Sequence, residues 1–157
     1  MLLSKRHNFI FIHVPKVAGQ SITNALMPYA ATRWQRMLSP LFPFRYQLKV
    51  FTKLRAYTNI SFPPQPFRDH AKTSEIATDL GLETFNNYFS FAFVRNPWAW
   101  ILSRYTYALK NPRHTRHELL KKFANFEEFL HWHCNEDEKF YLQKSYVCNT
   151  SGTQLVD

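Results

Sequence analysis

At 157 residues the chain has the length of one domain and can bury a sizeable core. Twenty basic against eleven acidic residues leave a formal charge of +9, which favours anionic partners: nucleic acid, acidic lipid, or phosphorylated and sulfated small molecules and glycans. No apolar run approaches the ~20 residues of a membrane span, Met1 to Lys5 is too short for a signal peptide, and Cys134 and Cys148 have no metal-type spacing; a cytoplasmic protein with reduced thiols, no metal and no transmembrane segment is expected.

Residues 9 to 14 form a continuous apolar, β-favouring run that predicts a buried strand of a parallel sheet. A helix follows from about Ser21 to Tyr29, with Ile22, Ala25 and Leu26 on one face. Residues 30–68 read as a less regular basic insertion carrying Arg33, Arg36, Arg45, Lys49, Lys53, Arg55 and Arg68. Within it Trp34 to Leu41 suggests a short helix, Tyr46 to Tyr57 another, and Phe62 to Pro66 an extended loop. Arg33, Arg36, Arg45 and Lys49 either line a groove for an anionic acceptor or form a basic exposed face.

Thr73 or Ser74 is placed to cap a short helix through Leu80, which Gly81 ends. Phe89 to Val94 is the second predicted strand. It stops at Arg95-Asn96-Pro97, where Asn96 suits an N-cap and Pro97 the first helical position. That helix runs to about Lys110 with Ile101, Leu102, Tyr105 and Leu109 on its apolar face. The stretch from Lys110 to Lys122, with His114 and His117, reads as a solvated face. Another helix starts near Asn125, whose cap pairs with Glu128, and reaches about His133. Tyr141 to Tyr146 reads as helical, and Thr153 to Val156 as a strand. Strands followed by turns and helices argue for an α/β layered sheet in a single domain, 1–157.

Chemistry concentrates in two turns. After the first strand come His13-Val14-Pro15-Lys16-Val17-Ala18-Gly19-Gln20-Ser21-Ile22. A strand ending in such a turn presents backbone N–H groups, a helix N-terminus and one ammonium to the same point, which suits a phosphate. The lysine precedes the small residues, so this is not the G-x-x-x-x-G-K-[ST] loop of nucleotide triphosphatases, and no Mg²⁺ carboxylate follows a strand. Taken alone, the segment is either a phosphate site or a tight structural turn. The second strand ends at Arg95, and Ser103 lies two turns into the next helix. In a parallel sheet both turns emerge at the same C-terminal edge, where ligands bind. An arginine fork there suits a second phosphate.

Together the two segments resemble the sulfotransferases that use 3′-phosphoadenosine 5′-phosphosulfate (PAPS). The first is similar to their 5′-phosphosulfate loop, near P-K-x-G-G-T-S. The second, Arg95-Asn96-Pro97-Trp98-Ala99-Trp100-Ile101-Leu102-Ser103-Arg104-Tyr105, is similar to their 3′-phosphate segment, near R-x-P-x-x-R-x-x-S-x-Y. The likeness is nearest to the carbohydrate-type branch. It implies a P-loop-like three-layer fold with a central parallel sheet, and PAPS as donor without a metal. Lys16 would then sit at the bridging oxygen of the leaving group. Val17, Ala18, Gly19, Gln20 and Ser21 would hold the 5′-phosphate, and Arg95 and Ser103 the 3′-phosphate. Three positions depart from the pattern. Ala18 replaces a glycine, which implies a turn that avoids positive φ there. Gln20 replaces a threonine, and Trp100 stands in place of the second arginine.

Transfer to a hydroxyl needs a base. His70, in Asp69-His70-Ala71-Lys72-Thr73-Ser74-Glu75-Ile76, is the best candidate of seven histidines, and soluble relatives of this kind carry a similar histidine ahead of the second strand. Asp69 could orient its imidazole; the alternative for His70 is a helix-capping or surface residue. His13 is expected to fill the core or orient a loop. His131 and His133 should point to different helix faces. The expectation is a sulfotransferase acting on a hydroxyl, most naturally of a carbohydrate, with PAPS and its product as partners and a C-terminal part that is incomplete. The alternatives are a nucleotide or phosphometabolite kinase, and a non-catalytic binder of anions or nucleic acid.

Overall fold

A computed structural model describes residues 1–31, 33, 37, 40–41, 70–137, 142–149 and 151–157. Most of the basic insertion, with Arg36, Arg45, Lys49 and the extended 62–66 segment, lies outside the described residues, as do Asp69 and Tyr141. The chain divides into two compact units, Met1–Phe93 with Ser145–Asp157, and Val94–Lys144.

In the first unit, β1 (Leu2–Ser4), β2 (Phe9–Ile12) and β3 (Phe89–Ala92) form one sheet in that order. The β2–β3 pair is parallel, pairing Ile10 with Ser90 and Ile12 with Ala92, so both strands end at the same edge. The sheet is not parallel throughout, because β1 returns to β2 through a short turn and pairs antiparallel, Leu2 with Phe11. Strand alternation sends Ile10 and Ile12 to one face, where they pack with Met1, Ala71, Ile76 and Phe85. Phe11 goes to the other face, against Leu2, Met27 and Ile22. Helix α1 (Gly19–Ala30) therefore covers one face, and α2 (Thr73–Leu80) with α3 (Leu82–Asn86) the other. Ile10, Phe11 and Ile12 are fully buried, each stabilising by about 1.5–3 kcal/mol.

Helix α1 begins two residues before the expected start, at Gly19. The N-cap of α2 is Lys72, whose backbone N–H donates to Glu75 Oε2 at 3.3 Å. Thr73 is instead fully buried and donates its hydroxyl to the Tyr146 carbonyl at 2.6 Å, tying the C-terminal segment to α2. The expected strand at 153–156 reduces to one antiparallel bridge, Cys148 with Gln154. The chain beyond it docks on β3: Ser90 N–H donates to Asp157 Oδ2 at 2.6 Å, and Asp157 N–H to the Ser90 carbonyl at 2.8 Å.

The second unit holds α4 (Pro97–Lys110), α5 (His117–Leu120) and α6 (Phe126–Asn135). Asn96 and Asn125 cap α4 and α6 as their sequence positions imply. The Asn96 side chain accepts from Trp98 and Ala99 N–H at 3.0 and 3.2 Å, and Asn125 from Glu128 N–H at 2.9 Å. A 3-10 turn spans Gln143–Tyr146. The stretch around α5 is solvated at Lys110, Arg113, Glu118, Lys121 and Lys122, but not throughout. His117 and Leu120 are buried, and His117 Nδ1–H donates to the Ala108 carbonyl at 3.1 Å, because a helix this short reaches stability only by packing on α4. His131 is exposed and His133 buried, so they do face opposite ways.

Beneath α6, Arg116 makes a two-pronged pair with Asp137, at 2.5 and 3.1 Å, and His133 Nδ1–H donates to the same carboxylate at 2.6 Å. Burial pushes His133 below its ordinary value, outweighing the Asp137 carboxylate that favours the charged ring. Burial by itself would raise Asp137, yet Arg116 and His133 hold it below the usual carboxylate range. Both shifts act in one direction. The stability they contribute is complete above the ordinary imidazole value of about 6.5 and is lost as pH falls, first through His133 and then through Asp137. The thermal midpoint followed by circular dichroism should therefore fall as pH drops below the ordinary imidazole value of about 6.5, less steeply in His133→Gln. Arg116→Ala, which strands a buried carboxylate, should cost roughly 3 kcal/mol in denaturant unfolding at neutral pH.

Candidate active site

The turn leaving β2 has an unusual backbone. Val14 and Val17 are buried and anchor it, while Lys16 and Ala18 adopt φ of +63° and +62°. Val17, between them, does not, and this alternation of handedness turns successive N–H groups toward one side. The expectation that Ala18 avoids positive φ is overturned: it sits fully in the left-handed region, with ψ of +21°, as the N-cap of α1. The chain must pass from a buried strand into α1, which is buried at Gly19, Thr23 and Met27, in six residues. The Ile22 N–H bond to the Ala18 carbonyl, 3.2 Å, holds it there at a cost of about 1–2 kcal/mol.

Helix α1 also begins differently from α4 and α6. No side chain caps it and its first turn carries no acidic residue, whereas α4 and α6 take asparagine caps and α6 has Glu127 and Glu128. The N-terminal N–H groups of α1 and their partial positive charge are thus suited to an external anion. Ser21 and Gln20 are exposed on this first turn. The Gln20 amide donates along the helix to Asn24 Oδ1 at 3.2 Å.

His13 follows β2 on the side of Phe9 and Phe11, and its ring stacks on Phe11 at 6.1 Å. It does not fill the core; half-exposed, it orients the turn. A Cβ at Gly19 would overlap its Cδ2 and Nε2, so any other residue there must displace the ring. On its other side the His13 ring meets His70, centroids 4.5 Å apart and planes at 60°. His70 itself adopts φ +64° just ahead of α2. Its Nδ1 lies 3.0 Å from the His13 carbonyl. A carbonyl oxygen only accepts, so Nδ1 carries the proton and a neutral His70 keeps its lone pair on Nε2. The structure thus brings His70 to the turn that holds Lys16, 54 positions earlier in sequence and on the same unit.

In the second unit, Arg95 is exposed ahead of α4 and Ser103 half-buried within it. Trp100 is buried, and the Arg104 guanidinium lies over its ring, 4.7 Å from the centroid. The Arg95 backbone is gripped by one side chain. Its N–H donates to Gln143 Oε1 and its carbonyl accepts from Gln143 Nε2, both at 2.8 Å.

Residues 1–152 match the family model described as the sulfotransferase family. The chain belongs to the sulfotransferase family. Its chemistry is therefore sulfuryl transfer, for which sulfotransferases in general use PAPS. No curated protein and no solved structure matches this sulfotransferase. Among its described residues no helix is long and apolar enough to cross a membrane.

Sequence reasoning singled out His13 without its contacts, and missed Gln143 altogether. The period-two continuation Phe9, Phe11, His13 signals which side His13 takes, but not that it meets Gly19 and His70. Gln143, 48 residues from Arg95, has no linear signal at all. The turn geometry makes a stability prediction. Ala18→Gly should stabilise the sulfotransferase by about 1 kcal/mol in denaturant unfolding, by relieving the left-handed alanine. Gly19→Ala should destabilise the parent chain yet cost little in a His13→Ala background, where the ring no longer occupies the space.

Proposed function

We infer that this sulfotransferase moves a sulfuryl group from PAPS to a hydroxyl, of a carbohydrate acceptor, by direct in-line transfer. The observation that carries the reading is the hydrogen bond of His70 to the strand end from which the Lys16 turn departs. It supports a base whose free nitrogen is set by the same turn that suits the anion. The donor requirement fits the residues present: an uncapped helix start, left-handed backbone at residues 16 and 18, and one ammonium.

In this reading, backbone N–H groups from Val17 to Ser21 and the Ser21 hydroxyl hold the 5′-phosphate, with the Gln20 amide leaving Asn24 to join them. Arg95 and Ser103 take the 3′-phosphate. The donor supplies the sulfuryl group. His70 Nε2 accepts the proton of the acceptor hydroxyl as that oxygen bonds to sulfur. The bond from sulfur to the bridging oxygen breaks, and the Lys16 ammonium stabilises the charge gathering on that oxygen. The products are a sulfate ester and 3′-phosphoadenosine 5′-phosphate. A sheet with one parallel strand pair and helices on both faces is consistent with a P-loop-like fold acting as a single sulfotransferase domain.

Transfer from ³⁵S-labelled PAPS to a glycan panel tests this directly. His70→Ala should lower turnover by roughly 10²–10⁴-fold, with circular dichroism unchanged. Lys16→Ala should lower it by a comparable factor, losing one preorganised charge at the leaving group. Full activity in both variants would sink the mechanism.

A further inference from the structure

We propose that Gln143 is a positioning residue for Arg95, and that through it the protein recognises the 3′-phosphate of its nucleotide. This rests on the assignment of Arg95 to that phosphate. The geometry is specific. Arg95 immediately follows the expected strand and precedes the Asn96 cap, so its own peptide groups have no helical partner. One amide side chain supplies both missing partners, accepting from Arg95 N–H and donating to Arg95 carbonyl at 2.8 Å each. A primary amide with its donor and acceptor side by side copies the edge of a neighbouring strand, a role that only glutamine or asparagine can play.

The consequence for binding is preorganisation. An arginine on an exposed segment must be immobilised when it engages a phosphate, and that ordering opposes association. With the residue 95 backbone held on both sides and residue 96 fixed as the cap of α4, the Arg95 fork starts from a defined root. Gln143 is half-exposed, so its substitution is expected to leave the fold intact. Asparagine is one methylene too short to reach both groups from the same Cα position. Glutamate keeps the acceptor, loses the donor, and sets a negative charge beside a phosphate site.

The test is isothermal titration of the full chain with 3′-phosphoadenosine 5′-phosphate and with adenosine 5′-monophosphate, the ratio of the two affinities being the readout. Gln143→Ala should weaken the bisphosphate roughly tenfold, the equivalent of one to two hydrogen bonds, and leave the monophosphate unchanged. Gln143→Asn should behave like alanine, and Gln143→Glu should be weaker still for the bisphosphate. In an Arg95→Ala background Gln143→Ala should have no further effect. If Arg95→Ala collapses the ratio while Gln143→Ala preserves it, the positioning role is wrong and the Arg95 assignment stands. If Arg95→Ala also preserves the ratio, both fall. Equal weakening of both nucleotides by Gln143→Ala would reduce Gln143 to a fold element and overturn the proposal.

Discussion

The contact between the His13 ring and Gly19 is the constraint on which the candidate site depends. Because residue 19 has no Cβ, an imidazole can lie across the start of α1, and the chain can turn from β2 into that helix within six residues. The turn is strained at Lys16 and Ala18, each by about 1–2 kcal/mol. Three fully buried side chains on β2, at about 1.5–3 kcal/mol apiece, exceed that strain and fix where the strand ends. The strained backbone then follows from the core rather than from local preference. Such strain survives only where the surroundings over-determine it, which is why it concentrates at sites with work to do.

The same ring transmits the turn's position to α2. His70 is held by a carbonyl of residue 13 on one side and by the strained φ of its own residue on the other. Directly behind it, Ala71 and Thr73 are buried, and Thr73 is bonded to Tyr146. A histidine just ahead of α2 is thereby rooted in the sheet through one neighbour and in the C-terminal segment through another. Its tautomer is set by a backbone oxygen, which no side-chain substitution at residue 13 removes. Ring contact and tautomer are therefore separable: one depends on the identity of His13, the other on the course of β2.

How much of this could be read in sequence depended on the range of the cause. Strands β2 and β3, the caps Asn96 and Asn125, and the stop at Gly81 were legible because each is decided within a few residues. Lys16, Arg95 and Ser103 were legible as candidates because lysine before a small-residue turn and arginine after a strand carry their chemistry locally. The short β1 was not, since three residues become a strand only through pairing with β2. Ala18 misled because propensity disfavours a left-handed alanine, and tertiary packing overrode it. His117 misled because its basic neighbours suggested solvent, whereas contact with α4 buries it. The C-terminal residues read as a strand, yet they satisfy Ser90 through the Asp157 carboxylate as well as through backbone, which no alternation pattern encodes.

The two turns that carry the candidate anion-binding residues start their helices in different physical ways. At α1 the helix start has no side-chain cap and no acidic residue in its first turn, so peptide N–H groups and the helix dipole are what it can offer an anion. At α4 the corresponding N–H groups of Trp98 and Ala99 are already taken by Asn96, so the helix start offers little, and an anion there must be met by side chains. The roles proposed for Arg95 and for Gln143, which holds its backbone, meet that requirement. A peptide nest is rigid by construction, and a guanidinium becomes comparably rigid only when its root is fixed. Backbone recognition tolerates the exchange of Gly for Ala18 at modest cost, since the N–H groups remain. Side-chain recognition has no such reserve, since removing the side chain removes every donor it offers.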